Sequence, residues 1–445
     1  MSEATARLAP AELRAAPGWW RAVPRADARA AGERDPLAFR ALLAFLFVLL
    51  IAPQNLVPGL ASLRPALIAA VLAVAACLAG RFLRREPLDV GAPGARLAAA
   101  LGAWAILTLP LSYWPGGSVN LLLDLYLKSL ALFWLLANLV STPRRLRRVA
   151  AGLTLMGVPL AFTGLRNYAT GAFLADTPAG VRRIEGYSSG LAGNPNDLAL
   201  VLNLLLPLAV GLALGEAGGA RRVLALAAAG VLAMGVVVTF SRAGFVTLLA
   251  IALVYLFRVV RRGRPAPALA IALVLLVALP LLPAGYVSRV ASITDVDSDP
   301  TGSAQKRWAD SRAALRILAE RPLLGAGLGM NVLALNDERG SSWTAVHNVY
   351  LQLGVELGLP GLALFVALLA ASIRTARRAQ REARRAGRSD LFHLSEGIEV
   401  ALWGFALSGL FYPVAYHFYF YLVAGLAAAA GTLRPPAPAA AEAGA

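Results

Sequence analysis

The sequence predicts an all-α, polytopic integral membrane protein of about twelve transmembrane helices, with a long outer loop that contains an amphipathic helix. Two observations carry this. Of 445 residues, 58% are hydrophobic and only 15% charged, with a mean hydropathy of +0.65; a soluble domain of this size needs more polar surface. Apolar runs of ~18 or more residues also recur along the chain, the length that crosses a bilayer as a helix. These runs are continuous rather than alternating, which excludes barrel strands.

Taken in order, residues 1–36 form a tail rich in Ala, Arg and Pro, without the apolar stretch of a cleavable signal peptide. Trp19 and Trp20 beside Arg21 and Arg25 suit a short helix on the membrane surface, and the composition suits a disordered tail equally. Twelve spans follow, at 37–57, 64–83, 96–114, 119–140, 146–169, 195–215, 222–240, 242–260, 266–284, 347–373, 394–412 and 415–433. Residues 37–284 thus hold nine spans, 285–346 a long loop, 347–433 three more spans, and 434–445 a Pro/Ala-rich tail. Within the long loop, AQKRWADSRAALRILAER (304–321) reads as an amphipathic helix. Trp308, Leu315 and Leu318 face lipid or the bundle, and Arg307, Arg312 and Arg316 present charge.

The net charge of +17 is read as topology rather than nucleic-acid binding. With the N-terminus inside, most of the 42 basic residues fall in the inside segments 1–40, 81–96, 144–148, 221–222, 258–264, 374–388 and the tail. Both termini are therefore predicted to be cytoplasmic. Among the basic residues left over, Arg182, Arg183, Arg242, Arg289, Arg307 and Arg312 lie outside or at an outer boundary, where topology needs no basic residue. Arg242 is the sharpest case, because TFSRAGF joins two spans with almost no loop. An arginine at the bilayer centre costs roughly 2.5–3.5 kcal/mol on insertion scales, so one held at a bundle surface usually faces a polar cavity or an anion; snorkelling to headgroups is the simpler alternative.

His347 is one of three histidines and opens the tenth span. A neutral imidazole can accept a proton from a hydroxyl, a contribution of about 100- to 10,000-fold. Guanidinium forks suit phosphate oxygens. Together these residues point to a lipid-linked phosphate or pyrophosphate, whose departure depends more on charge stabilisation than on protonation. Glu356 lies nine residues after His347, about half a turn round and ~13.5 Å along a straight helix. It cannot orient the histidine directly and reads as a buried acceptor that caps a loop or pairs with an arginine. Gly354, Gly358 and Gly361 allow close helix approach.

The remaining signals are weaker. DVDSDP (Asp295, Asp297, Asp299) begins like a calcium loop but has Pro300 and Lys306 where glycine and glutamate belong. GAGLG (325–329) follows no strand and reads as a tight connector rather than a dinucleotide fingerprint. Asp124 and Lys128 form an i, i+4 pair inside a span. His393 falls beside a basic inner loop and reads as incidental, whereas His417 lies outside and either lines the cavity or anchors at the interface. Cys77, alone, excludes an intrachain disulfide.

The ordered set GNPNDLA (193–199), TFSRAGF (239–245), KRWADSRAAL followed by RPLLGAGLG (306–329), and HNVYLQLGVELGLPG (347–361) resembles the O-antigen ligase / O-antigen polymerase superfamily, most of all its lipopolysaccharide O-antigen ligases. The resemblance covers most of residues 150–375. It implies a GT-C-like glycosyltransferase of the bacterial inner membrane with a periplasmic active site. The implied reaction moves a glycan from undecaprenyl pyrophosphate to lipid A-core oligosaccharide, without metal, nucleotide or other cofactor. By position, the family's histidine matches His347, its arginines match Arg242 and Arg307, and its Asn-Pro-Asn element matches Asn194, Pro195 and Asn196. Arg182, Arg183 and Arg312 join the expected substrate-binding set from charge and position alone. The implied partners are the lipid-linked donor, the lipid A-core acceptor and membrane lipids, with no nucleic acid. An O-antigen polymerase is the nearest rival, followed by a protein O-oligosaccharyltransferase. A lipid-linked glycan transporter would instead need basic residues along a path through the membrane and an internal repeat; the sequence offers neither.

Overall fold

The computed structural model describes residues 35–57, 59–84, 91, 94–174, 183–187, 192–216, 218–265, 268–269 and 302–433, with the side chains of 303 and 304 excepted. The N-terminal and C-terminal tails, Arg182, Arg289, the DVDSDP segment and nearly all of the expected ninth span lie outside these residues. Regular structure among the described residues is helical, apart from one bridge pairing Phe173 with Ile184.

The helices are α1 (Pro36–Ile51), α2 (Pro65–Leu83), α3 (Ala95–Thr108), α4 (Pro115–Leu121), α5 (Leu127–Leu139), α6 (Pro143–Thr170), α7 (Pro195–Gly215), α8 (Gly219–Val238) and α9 (Arg242–Arg261). After the undescribed stretch come α10 (Ser303–Glu320), α11 (Asn331–Arg339), α12 (Val349–Arg385), α13 (Ser389–Ser408) and α14 (Phe418–Thr432). A π-helical turn, Leu122–Tyr126, joins α4 to α5. Proline opens α1, α2, α4, α6 and α7, where its missing N–H costs nothing. Thr142, Asn194, Ser241 and Asn348 cap α6, α7, α9 and α12 through their side-chain oxygens.

The chain is a multi-pass membrane protein. Among the described residues, seven helical stretches are long and apolar enough to cross a bilayer: Leu60–Leu83, Pro115–Leu139, Pro143–Thr170, Pro195–Gly215, Gly219–Val238, Arg242–Arg261 and Val349–Arg385. The apolar helices at Pro36–Ile51, Ala95–Leu111 and Phe418–Thr432 are shorter. Expected spans at 37–57, 96–114 and 415–433 fall on these shorter helices, and the one at 394–412 falls on α13, which carries Glu396 and Glu399. α7 is apolar on every side because it is buried on every side, packed among α6, α8, α9 and α13. Phe420 of α14 stacks against Phe365 of α12 at 4.8 Å and Phe405 of α13 at 5.3 Å, joining the last three helices.

α12 is not one continuous helix. Pro360 has no N–H to donate, and its ring crowds the carbonyl four residues back, that of Glu356. The chain breaks at Gly358 (φ 66°, ψ −173°). The carbonyls this frees are taken up from outside the helix. Ala326 N–H donates to Val355 O at 2.7 Å and Gly327 N–H to Glu356 O at 2.9 Å, and the indole of Trp104 donates to Leu357 O at 2.8 Å. In return, Leu359 N–H donates to Pro322 O at 2.7 Å. The glycine-rich loop is therefore more than the connector its sequence suggests: its backbone completes the hydrogen bonding of a broken helix. Gly358 serves the approach of this loop rather than of another helix, since a Cβ there would stand 2.3 Å from Leu323 O. Gly354 does admit a helix, α10, through Leu318.

α10 is amphipathic as expected, but its buried face is Asp310, Ala313, Ala314 and Ile317, while Trp308 and Leu315 are exposed. Asp124 meets Arg64 at 3.8 Å, an exposed pair, with Lys128 also in electrostatic range. At the bundle end away from His347, Glu396 and Glu399 of α13 are buried among Arg258 of α9, Arg262 just after that helix and Arg377 of α12. His393 is part of this network, with Nδ1 3.3 Å from Glu396, so it is not incidental.

The break makes a stability prediction. Gly358 and Gly340 (φ 86°, ψ 164°) share a backbone region open essentially to glycine alone, at a cost to other residues of about 1–3 kcal/mol. A Cβ at Gly340 meets nothing within 4 Å. Thermal unfolding in detergent should therefore show G358A more destabilised than G340A; equal losses would mean that the loop does not sit in the break.

Candidate active site

His347 stands at the apex of a tight turn just before α12. Asn348 N–H donates to Val346 O at 2.8 Å, an i to i+2 bond that bends the chain around the histidine. Both flanks are fixed. On the C-terminal side, Asn348 Oδ1 caps α12 by accepting from Tyr350 N at 2.9 Å and Leu351 N at 3.1 Å. Val349 N–H meanwhile reaches Gly409 O at 2.7 Å. On the N-terminal side, Val346 N–H donates to Asn331 Oδ1 at 3.1 Å. Further back, Arg339 donates to Thr344 O at 2.8 Å and pairs with buried Asp310 at 2.9 Å. The turn is thus held by α10, α11, α12 and the loop after α13.

The imidazole is mostly buried. Burial, reinforced by the charge of Arg307, lowers its pKa from the usual 6.5 to about 4, with the backbone of Ala345 acting in the opposite direction. Its Nδ1 is buried without a well-formed hydrogen bond among the described residues. His347 is therefore neutral at physiological pH and can accept a proton or a hydrogen bond.

Arg183 and Arg307 come from distant parts of the chain and both act on Tyr412, while Arg242 acts on Arg183 and directly follows Ser241, whose hydroxyl meets that tyrosine. Arg307, on α10, acts electrostatically on both His347 and Tyr412. Arg183, in the segment after α6, acts on Tyr412 and feels Arg242. Burial first, and the like charge of Arg242 second, lower the proton affinity of Arg183. The Tyr412 hydroxyl is buried and lies 3.3 Å from Ser241 Oγ, the cap of the helix that Arg242 begins. Asp197 acts on Tyr412 and Tyr419. Guanidinium groups drawn together at a bundle end create a strongly positive locus suited to an oxyanion.

The other expected residues have varied places. Asn194 caps α7, its Oδ1 accepting from Asn196 N and Asp197 N at 2.9 Å each, while its amide donates to the Asp197 carboxylate. This is a structural task that fixes the start of α7 and with it Asp197. Asn196 is half-buried in the first turn of the same helix, and Arg312 is exposed on α10. Arg182 lies outside the described residues. His417 precedes the first residue of α14 without capping it through its side chain, and stacks on Tyr419 at 5.8 Å, at the end of the segment that carries Tyr412. Among the described residues no three His, Cys, Asp or Glu side chains are grouped to hold a metal. Sequence reasoning missed Tyr412, Ser241, Asn331 and the Asp310–Arg339 pair; no periodicity or motif separates Tyr412 from the chain's other interfacial tyrosines.

Residues 227–366 match the family model described as O-antigen ligase. The match agrees with the superfamily resemblance carried by the motifs. It spans Arg242, Arg307, His347 and Glu356, while Arg183, Asn194 and Asn196 lie before it. No curated protein matches the chain.

The proximity of Arg307 can be tested directly. Arg307→Gln removes one of the two influences that hold the imidazole uncharged, so the His347 pKa should rise from about 4 while staying below 6.5, because burial remains. Histidine-selective NMR can follow this, since only three histidines are present; an unchanged titration would separate Arg307 from His347.

Proposed function

We propose that this protein is an O-antigen ligase of the bacterial inner membrane, transferring O-antigen polysaccharide from undecaprenyl pyrophosphate to lipid A-core oligosaccharide at the periplasmic face. The observation that carries the reading is the neutral imidazole of His347 under the charge of Arg307, with Arg183 acting on Tyr412 as Arg307 does and itself feeling Arg242.

In this reading an acceptor sugar hydroxyl is oriented by His347, which takes its proton as the oxygen attacks the anomeric carbon of the donor. The bond from that carbon to the pyrophosphate oxygen breaks, and undecaprenyl pyrophosphate leaves with the electron pair. A single displacement inverts the anomeric carbon. Arg242 and Arg307, with Arg183, meet the charge on the leaving group, a task for which preorganised donors are most effective. Arg182, Arg312, Asn194 and Asn196 complete the proposed substrate contacts.

A histidine with a pKa near 4 is a weak base, and the donor itself offers the remedy. Pyrophosphate bound at the arginines offsets the positive field that discourages protonation of His347, so basicity rises when the donor is present. The acid limb of kcat/KM, which reports the free enzyme, should therefore fall near the low value of the unliganded imidazole, and the acid limb of kcat at a higher pH. Coincident limbs would contradict donor binding beside His347.

The activity itself is tested by reconstitution with undecaprenyl-pyrophosphate glycan and two acceptors offered separately. Transfer to lipid A-core supports a ligase; chain growth on a second lipid-linked glycan without it would make the protein a polymerase. His347→Ala should abolish transfer. Arg242→Lys, which keeps the charge but loses the fork, should weaken it. Undiminished transfer by His347→Ala would end the assignment of His347.

A further inference from the structure

We propose that Glu356 and Asn331 are positioning residues for His347, forming a buried polar link between the break in α12 and the turn that presents the imidazole. The proposal rests on the reading of His347 as the group that orients or deprotonates the acceptor.

The link can be followed atom by atom. Glu356 is fully buried and Asn331 is 4% exposed. Glu356 Oε1 accepts from the backbone N–H of Asn331 at 3.2 Å and also from its side-chain Nδ2. The other end of the same amide, Oδ1, accepts from Val346 N–H at 3.1 Å, and Val346 O closes the turn around His347. A carboxylate can only accept and a backbone N–H can only donate. Asn331 is therefore locked in one orientation from both sides and cannot flip without losing both contacts. Glu356, too distant along α12 to touch His347, reaches the turn that presents it through Asn331 and Val346.

The same carboxylate also faces the other half of the site. The Tyr416 hydroxyl approaches it, and Ser129 Oγ donates to Tyr416 O at 2.8 Å. One turn earlier on α12, Gln352 Oε1 accepts from Ala415 N–H at 3.1 Å. The segment carrying Tyr412 and the turn carrying His347 are thus referred to a common stretch of α12. A helix cap alone does not call for a carboxylate at this depth. A neutral Ser, Thr or Asn would cap α11 at lower desolvation cost. What the carboxylate adds is two acceptor oxygens of fixed polarity, which set the amide of Asn331.

The test uses full-length protein in nanodiscs and compares wild type, N331D, E356Q, the double variant N331D/E356Q and H347A. Transfer kinetics are read alongside the titration of the histidine resonances, His347 being assigned by its absence in H347A. N331D turns the amide contact into two opposed carboxylates. It should lower kcat about 100-fold, the scale of a misplaced catalytic group, with little change in donor KM. A loosened turn admits water, so the His347 titration should also move up from about 4. In the double variant the introduced amide can donate to the introduced carboxylate but gives up accepting from the backbone N–H at position 331, so kcat and titration should move back part of the way towards wild type. Wild-type kcat and titration in N331D would overturn the proposal. So would a loss of activity with no shift of the His347 titration and no recovery in the double variant, because that pattern marks a residue needed only for folding. If H347A itself retained transfer, the assignment of His347 would fail, while the titrations would still report whether the link fixes the ring.

Discussion

The interruption of α12 at Gly358–Pro360 is the constraint on which the His347 end of the bundle depends. A continuous helix would satisfy its own backbone and leave nothing for the glycine-rich loop to bind. Because Pro360 displaces the Glu356 carbonyl and Gly358 leaves the helical region, three carbonyls become acceptors for Ala326, Gly327 and Trp104. Docking of that loop places Asn331 at the start of α11 beside the Glu356 side chain. Asn331 in turn holds Val346, next to His347. One proline and one glycine thus set the register of a segment more than ten residues away.

Arginines gather at both ends of the bundle. Away from His347, Arg258, Arg262 and Arg377 are met by buried Glu396 and Glu399, an arrangement in which each ion offsets the desolvation of the other. At the His347 end, Arg307 and Arg183 act on the Tyr412 hydroxyl together with Asp197, Arg242 acts on Arg183, and Arg307 acts on His347. The first arrangement ties α9, α12 and α13 together. The second is one that an anionic ligand would stabilise, which is why the pyrophosphate reading follows from the arginines rather than from the histidine.

Much of this was legible in the chain. Long apolar runs, prolines and arginine clusters marked the helices because each has a direct physical cause: hydrocarbon thickness, a missing N–H and the sidedness of basic loops. His347, Arg242 and Arg307 stood out because charged and titratable residues are costly near a membrane. Tyr412 and Asn331 did not, because their roles depend on which distant carbonyl or hydroxyl the fold brings near, and a lone tyrosine or asparagine carries no period or spacing. Glu356 was legible as a buried acceptor but not as a hub, since its partner lies 25 residues away, across the loop. His393 was misread because its near neighbour Glu396 matters only through Arg258 and Arg262, which the fold brings to it from the end of α9 and the residue after.

In the proposed function, Arg183, Arg242 and Arg307 form a pyrophosphate site beside His347. Native mass spectrometry of the full-length protein with undecaprenyl pyrophosphate and, separately, undecaprenol can test for that site. The pyrophosphate lipid should be retained over the alcohol, with that preference lost when Arg242 and Arg307 are both changed to Gln. Equal retention of the two lipids by the wild type, or an undiminished preference in the double variant, would contradict it.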